Sequence, residues 1–344
     1  MAISYRTRRH LRNLLIVVLV LAMLVALSLV VWLLWLDRFV VYSRDGASLD
    51  FSKGEQLLGE QAIRPGVEET VPIYYNEGDQ ALNTSIELTQ MQGFYISTEM
   101  LLEDPAGLLT ILKQLPEQTP VLIELKDIAG RFYYETNLGP THSSADLAAI
   151  KQIIDYMDRS NLYAIAKVPA FRDYYYGLEN VPQGLANSKG YLWMDENRCY
   201  WLRPDSDSVI LYLTQIVTEI KDMGFSEVVF GDFRFPQTDK IVYKLDKTEQ
   251  LHIAANRLVE ACVSDRFAVS FLVEDPSFQL PGGRTRMYLQ GTTAGKVNSL
   301  AASTGLSETD IITRLVFLTD LKDTRFDVYS VLRPITSAQL DMLG

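Results

Sequence analysis

Charged side chains stand at the ends of several short apolar runs in this chain, where a binding or catalytic group is most useful. Glu124, Lys126 and Asp127 close the run that begins at Val121, and Lys167, Arg172 and Asp173 close the one that begins at Tyr163. Asp232 and Arg234 stand at the end of Glu227 to Phe233, and Glu274 and Asp275 end the run from Phe267. Carboxylates facing each other across a cleft are what cleavage of a glycosidic bond requires. One protonates the leaving oxygen while the other attacks carbon or activates water. Charges at strand ends also serve as ordinary solvated loop residues, so this pattern leaves both readings open.

Aromatic residues add to the pattern. Tyr174, Tyr175 and Tyr176 directly follow Asp173, and Trp193 and Trp201 lie in the long segment after them. Exposed rings at a cleft mouth suit sugar faces because they stack at low conformational cost. Packing the loop down is their competing role. Other chemistries find no support. His10, His142 and His252 have no metal-ligand spacing with a cysteine or a second histidine. Gly291 to Lys296 is one residue short of a phosphate loop and is followed by Val297 in place of Ser or Thr. No serine sits in a G-x-S-x-G elbow. The expectation is therefore no metal and no cofactor.

Positioning these groups falls to an alternation of strands and helices. Strands are predicted at 93–97, 121–127, 163–171, 227–233 and 267–274. The helices between them begin at Asp104-Pro105, near Ser144 with Ser143 and Asp146 at capping-box spacing, at Asp207 and at Thr248. Candidates for three further strands are 286–290, 315–319 and 326–332. Such alternation implies parallel pairing with right-handed crossovers. The span from Gly93 to Pro334 is close to the roughly 250 residues of an eight-stranded (β/α) barrel. A (β/α)8 TIM-like barrel over residues 91–344 is the predicted fold, with a doubly wound open sheet as the alternative.

Three blocks of this region resemble the putative glycosyl hydrolase domain family, a group of bacterial, often membrane-anchored proteins with a glycosidase-like barrel. Val121-Leu-Ile-Glu-Leu-Lys-Asp127 with Gly130 is similar to the family's V-V-I-D-V-K-D-x-x-G. Tyr163 to Asp173 is similar to Y-x-I-A-R-I-V-x-F-K-D, and Gly224 to Pro236 to G-F-D-E-I-Q-F-D-Y-V-R-F-P. The resemblance implies a site drawn from Glu124, Lys126, Asp127, Lys167, Asp173 and Arg234. It also shows departures. The family's aspartate in the third block falls on Gly231, with Asp232 one residue later, and a second family aspartate falls on Leu272. A shift of one residue on a strand turns a side chain to the opposite face, unless the strand ends or bulges there. As an enzyme the protein would use Asp232 as nucleophile and Glu274 as general acid, with Arg234 holding the Asp232 carboxylate ionised and Tyr175 and Trp193 adding to the sugar-binding set. The alternative is that Asp232 and Arg234 form a structural pair at the barrel rim, with Glu274 capping a loop.

The N-terminus carries Arg6, Arg8, Arg9 and Arg12, followed by residues 14–36 without a charged side chain. At about 1.5 Å per residue that run covers roughly 30–35 Å, enough for one membrane-spanning helix. It is too long for a cleaved signal, and Trp32, Trp35 and Leu36 stand where small residues would be needed. Arginines before the span predict a cytoplasmic tail over 1–13, a cell-membrane location, and an extracytoplasmic stalk (37–90) and barrel. The net charge is −11, and taking away those four arginines leaves −15 on the rest. So acidic a surface is repelled by phosphate backbones, which argues against nucleic acid as a partner. Cys199 and Cys262 leave a disulfide open, and oligomeric state is not legible. The expected function is action on, or recognition of, a cell-envelope or extracellular polysaccharide. Its rivals are a barrel without catalysis that binds glycan or envelope-protein partners, and a scaffold whose anchor pairs with other membrane proteins.

Overall fold

The computed structural model describes residues 88–335 and, ahead of them, the two strands Val40–Ser43 and Gly46–Leu49. Those two strands pair antiparallel, Val40 opposite Leu49. Contacts divide the chain into two compact units, Met1–Ala62 and Ile63–Gly344, and the barrel belongs to the second. The expected anchor at 14–36, the cytoplasmic tail and most of the expected stalk lie outside the described residues. Among the described residues no helix is long and apolar enough to cross a membrane.

Eight parallel strands close into a barrel. They are β1 (Gln92–Tyr95), β2 (Pro120–Glu124), β3 (Tyr163–Pro169), β4 (Glu227–Gly231), β5 (Ala268–Leu272), β6 (Met287–Gln290), β7 (Leu315–Leu318) and β8 (Ser330–Pro334). β8 closes the ring by pairing with β7 on one side and β1 on the other, Leu332 meeting both Leu318 and Gly93. The open-sheet alternative is thereby excluded. The two-residue period of a strand sorts each side chain to one of two cores. Leu122, Ile165, Val229, Tyr288, Val316 and Leu332 point inward and fill the lumen. Their neighbours Val121, Ile123, Ala164, Val228 and Phe230 point outward into a separate core under the helices.

Helices α1 (Thr98–Glu103) and α2 (Pro105–Leu112) follow β1, and α3 (Leu147–Arg159) follows β2. After β3 comes the short α4 (Tyr174–Glu179) and a long loop leading to α5 (Asp207–Asp222). α6 (Lys247–Cys262), α7 (Val297–Ser303) and α8 (Glu308–Arg314) complete the ring. Side-chain caps fix where these helices begin. Asp104 accepts from Gly107 N at 2.9 Å, Ser206 from Val209 N and Asp246 from Glu249 N, each cap worth about 1 kcal/mol. The expected Ser143–Asp146 capping box is not formed. His142 Nδ1 takes the Ser144 amide, and Asp146 itself becomes the cap of α3, accepting from Ala149 N. Gly224 ends α5 with a φ of +88°, a left-handed conformation that strains residues with a side chain.

β8 also starts later than expected. Phe326 to Tyr329 form tight turns, with Phe326 N donating to Asp323 O and Tyr329 N to Phe326 O, which leaves those residues unavailable to the sheet. Cys199 and Cys262 are both buried and unbridged.

Candidate active site

A barrel presents its reactive groups at the C-terminal ends of its strands. Inward-facing positions at those ends are Glu124 on β2, Lys167 on β3, Gly231 on β4, Leu272 on β5 and Gln290 on β6. All five line a cleft of about 600 Å³ at the barrel mouth. Strand register sets the first pair: Glu124 lies opposite Lys167, and Lys167 Nζ is 3.5 Å from Glu124 Oε2, which also accepts from Thr98 Oγ1 at 3.1 Å.

Asp232 enters the cleft by leaving the strand. Glu227, Val229 and Gly231 share the lumen face of β4, which ends at Gly231. The next residue would point outward if the strand continued. Asp232 instead adopts a φ of +45°, a left-handed conformation that aspartate tolerates better than most side chains. Its carboxylate then turns back to the cleft wall. Gly231 leaves room beside it, since a Cβ there would meet Lys167 Cε at 3.4 Å and Leu272 Cδ2 at 4.0 Å. Gly231 and Leu272, the positions where the resemblance places aspartates, thus both face the mouth, and neither carries a carboxylate.

Arg234 joins the two carboxylates of the expected catalytic pair. Its Nη2 lies 3.8 Å from Asp232 Oδ1 and its Nε 3.1 Å from Glu274 Oε1. Glu274 Oε2 also accepts from Gln237 Nε2 at 3.3 Å. The environments of the two acids differ. Asp232 has 19% of its side chain exposed and Glu274 59%. Burial pushes the Asp232 carboxyl above its ordinary pKa of 3.8, against the pull of Arg172, Arg234 and Lys167, and Glu274 adds to the rise. Arg234 thus acts on Asp232 in the expected direction, favouring the ionised form, but against a larger effect of burial. At a separation of 3.8 Å the guanidinium offsets only part of the desolvation.

Arg172 and Trp201 stand out in the sequence, but Asp195, which joins them behind Asp232, does not. Arg172 Nη2 is 2.6 Å from Asp195 Oδ2, while its Nη1 lies 3.8 Å from Asp232 Oδ1. Trp201, buried, donates its Nε1 proton to the same Asp195 oxygen at 3.0 Å. The Arg172 and Arg234 guanidinium groups stack on its ring at 5.5 and 5.0 Å from the centroid. The wall from Leu289 to Leu300, with Gly291, Thr292, Thr293 and Lys296, was also unforeseen as part of the site. Its visible signal was the glycine-rich stretch already weighed as a phosphate loop.

Five expected binding residues take no part in the cleft wall. Lys126 and Asp173 are fully buried, with Lys126 Nζ 2.6 Å from Asp173 Oδ2. The ammonium also lies over the rings of Phe132 and Tyr212, and Asp173 accepts from Tyr212 Oη and caps α4 at Tyr176 N. Asp127 pairs with Arg131 at 2.7 Å and accepts its backbone amide, closing a turn. Tyr175 stacks edge-on against Tyr174, and Trp193 packs against the core under the helices. Trp193 therefore fills the structural role that was its alternative. Among the described residues no group of His, Cys, Asp and Glu could hold a metal ion.

The fold is a closed (β/α)8 barrel with two acids bridged by a guanidinium at its mouth. The chain belongs to the family described as "Putative glycosyl hydrolase domain", whose profile matches residues 93–265. Among solved structures, a GH36 alpha-galactosidase from Geobacillus stearothermophilus is similar in fold, with a TM-score of 0.51 at 9% identity. That likeness covers 75% of this chain and 41% of the enzyme, so this chain spans about two fifths of its length. An alpha-galactosidase from Thermus thermophilus matches with a TM-score of 0.49 at 10% identity, covering 75% of this chain and 62% of that one. A hypothetical protein from Ruminiclostridium thermocellum matches with a TM-score of 0.43 at 19% identity, over 57% of this chain and 96% of the other. A search of curated proteins finds no match.

Proposed function

We propose that this protein is a membrane-anchored glycoside hydrolase acting on a cell-envelope or extracellular polysaccharide, with Asp232 and Glu274 as its working acids. One observation carries the reading: both carboxylates line the mouth of the barrel and contact the same guanidinium, that of Arg234. Their environments suggest how the labour divides. Burial raises the proton affinity of Asp232 and so favours it as the acid that protonates a leaving oxygen, while the exposed Glu274 is placed to activate water or attack carbon. This reverses the roles expected from sequence. Arg234, 3.1 Å from Glu274 Oε1, then orients that carboxylate while it acts. The apolar run at 14–36 behind four arginines supports anchoring with the barrel outside the cytoplasm.

The test is release of new reducing ends from isolated cell-wall polysaccharide by the full-length chain in detergent micelles. The reading expects release by the wild type and its loss, by about 10²-fold or more, in Glu274→Gln. Release unchanged in that variant overturns the assignment. Absence of carboxylates at Gly231 and Leu272 favours the second reading, a barrel that binds glycan without cutting it. It expects retention of the polysaccharide without release, weakened by Arg234→Ala. For the anchor, protease added to intact spheroplasts should digest the barrel; protection of the barrel would place it on the cytoplasmic side.

A further inference from the structure

Beside the mouth lies a second recess of about 460 Å³. Its floor is apolar, made of Phe233, Phe235 and Phe278. Phe233 packs against Phe271 and Phe278 with ring centroids 4.6 and 6.0 Å apart, so the floor is held from beneath by the core. Its edge is polar, with Gln237 and Asp275. A sugar ring has matching surfaces, an apolar C–H face and a rim of hydroxyls, and sites of this kind combine an apolar floor with a few placed polar groups.

The two recesses adjoin. Arg234, Val273 and Glu274 belong to the walls of both. Asp232 lines only the inner one, and Glu274 stands on the boundary, tied to Arg234 on one side and to Gln237 on the other. Either volume falls within the roughly 300–1,000 Å³ that encloses a compact organic ligand. Glu274 is thus the wall residue that a chain leaving the inner recess would pass to reach the outer one.

We infer that the outer recess over Phe233, Phe235 and Phe278 seats the sugar unit next to the one in the mouth, so that the site takes a glycan chain across the Glu274 ridge in preference to a single terminal sugar. This rests on the carbohydrate reading proposed above and specifies its substrate as a chain of at least two linked sugars engaged on both sides of the reacting bond.

The full-length chain in detergent micelles is applied to a glycan array carrying mono- to hexasaccharides, alongside Gln237→Trp. Gln237 is exposed at the recess edge, so the larger ring fills the recess without disturbing the core. The expected result is retention that begins at two or more units, with Gln237→Trp lowering retention of the longer chains at least tenfold, to the level of the shortest chain retained. Monosaccharide spots retained as strongly as hexasaccharides, or a length dependence unchanged in Gln237→Trp, overturn the inference and leave the carbohydrate reading standing. Retention on no spot at all overturns both.

Discussion

The two ends of the barrel use the same residue types to opposite effect. At the N-terminal end, Glu227 opens β4 on the lumen face, fully buried, with Arg286 Nη1 2.5 Å from its Oε2. Every remaining lone pair there is taken: Tyr163 Oη and Tyr288 Oη donate to Glu227 at 2.9 Å and Ser270 Oγ at 2.6 Å. Arg286 uses four of its five N–H groups, donating to Tyr163 Oη, Thr313 O and Thr89 O besides Glu227. At the C-terminal end, Asp232 has two guanidinium groups no closer than 3.8 Å, and Glu274 is more than half exposed. Charge saturated with partners closes a floor. Charge left short of partners is available to a ligand.

Four measurements sharpen or break this contrast, from the largest effect down. Arg286→Met leaves the Glu227 carboxylate buried with only hydroxyl donors, and should cost about 3–5 kcal/mol in urea unfolding. A loss below about 1 kcal/mol would mean that the floor is not held by this pair. Tyr163→Phe removes one hydroxyl that serves both partners, at an expected cost of about 1–3 kcal/mol. At the mouth the sign should change. Because the folded-state pKa of Asp232 is raised, its ionisation opposes folding. The penalty is absent below the ordinary value of 3.8 and grows as pH rises through the folded value. Asp232→Asn should therefore match the wild type in acid and be at least as stable at neutral pH. A variant that loses stability only at neutral pH would reverse the sign. Smallest of all, Glu274→Gln should shift stability by under about 1 kcal/mol, since its ion pair is exposed.

Much of the barrel is legible in the sequence, and the reasons are local. β2 through β5 are apolar runs bounded by strongly amphipathic helices with clear caps, so their order and number can be read directly. β6 to β8 are harder because β6 and β7 have four residues each and α7 and α8 seven, too short for a helical period to stand out. Phe326 looks like a strand residue by type and is buried, yet a turn claims its backbone.

The site is legible only in part. Glu124, Lys167, Arg234 and Glu274 stand at strand ends, and strand period alone brings the first two inward. Asp232 was ambiguous for a physical reason, since one backbone dihedral decides which way it points and no pattern of residue types fixes that dihedral. Lys126 and Asp173 have the same strand-end position as true cleft residues, but they meet each other across two loops and are sealed under Phe132 and Tyr212. The Glu227 floor gave no warning, because an acid at the start of a strand ordinarily reads as solvated.

The contrast between the ends is tested most directly by measuring one variant twice. Asp232→Asn is followed for urea stability at pH 7 and for release of reducing ends from cell-wall polysaccharide. Stability equal to or above the wild type, together with release reduced about 10²-fold or more, is the predicted result. Release at the wild-type rate, or a stability loss as deep as that of Arg286→Met, would contradict it.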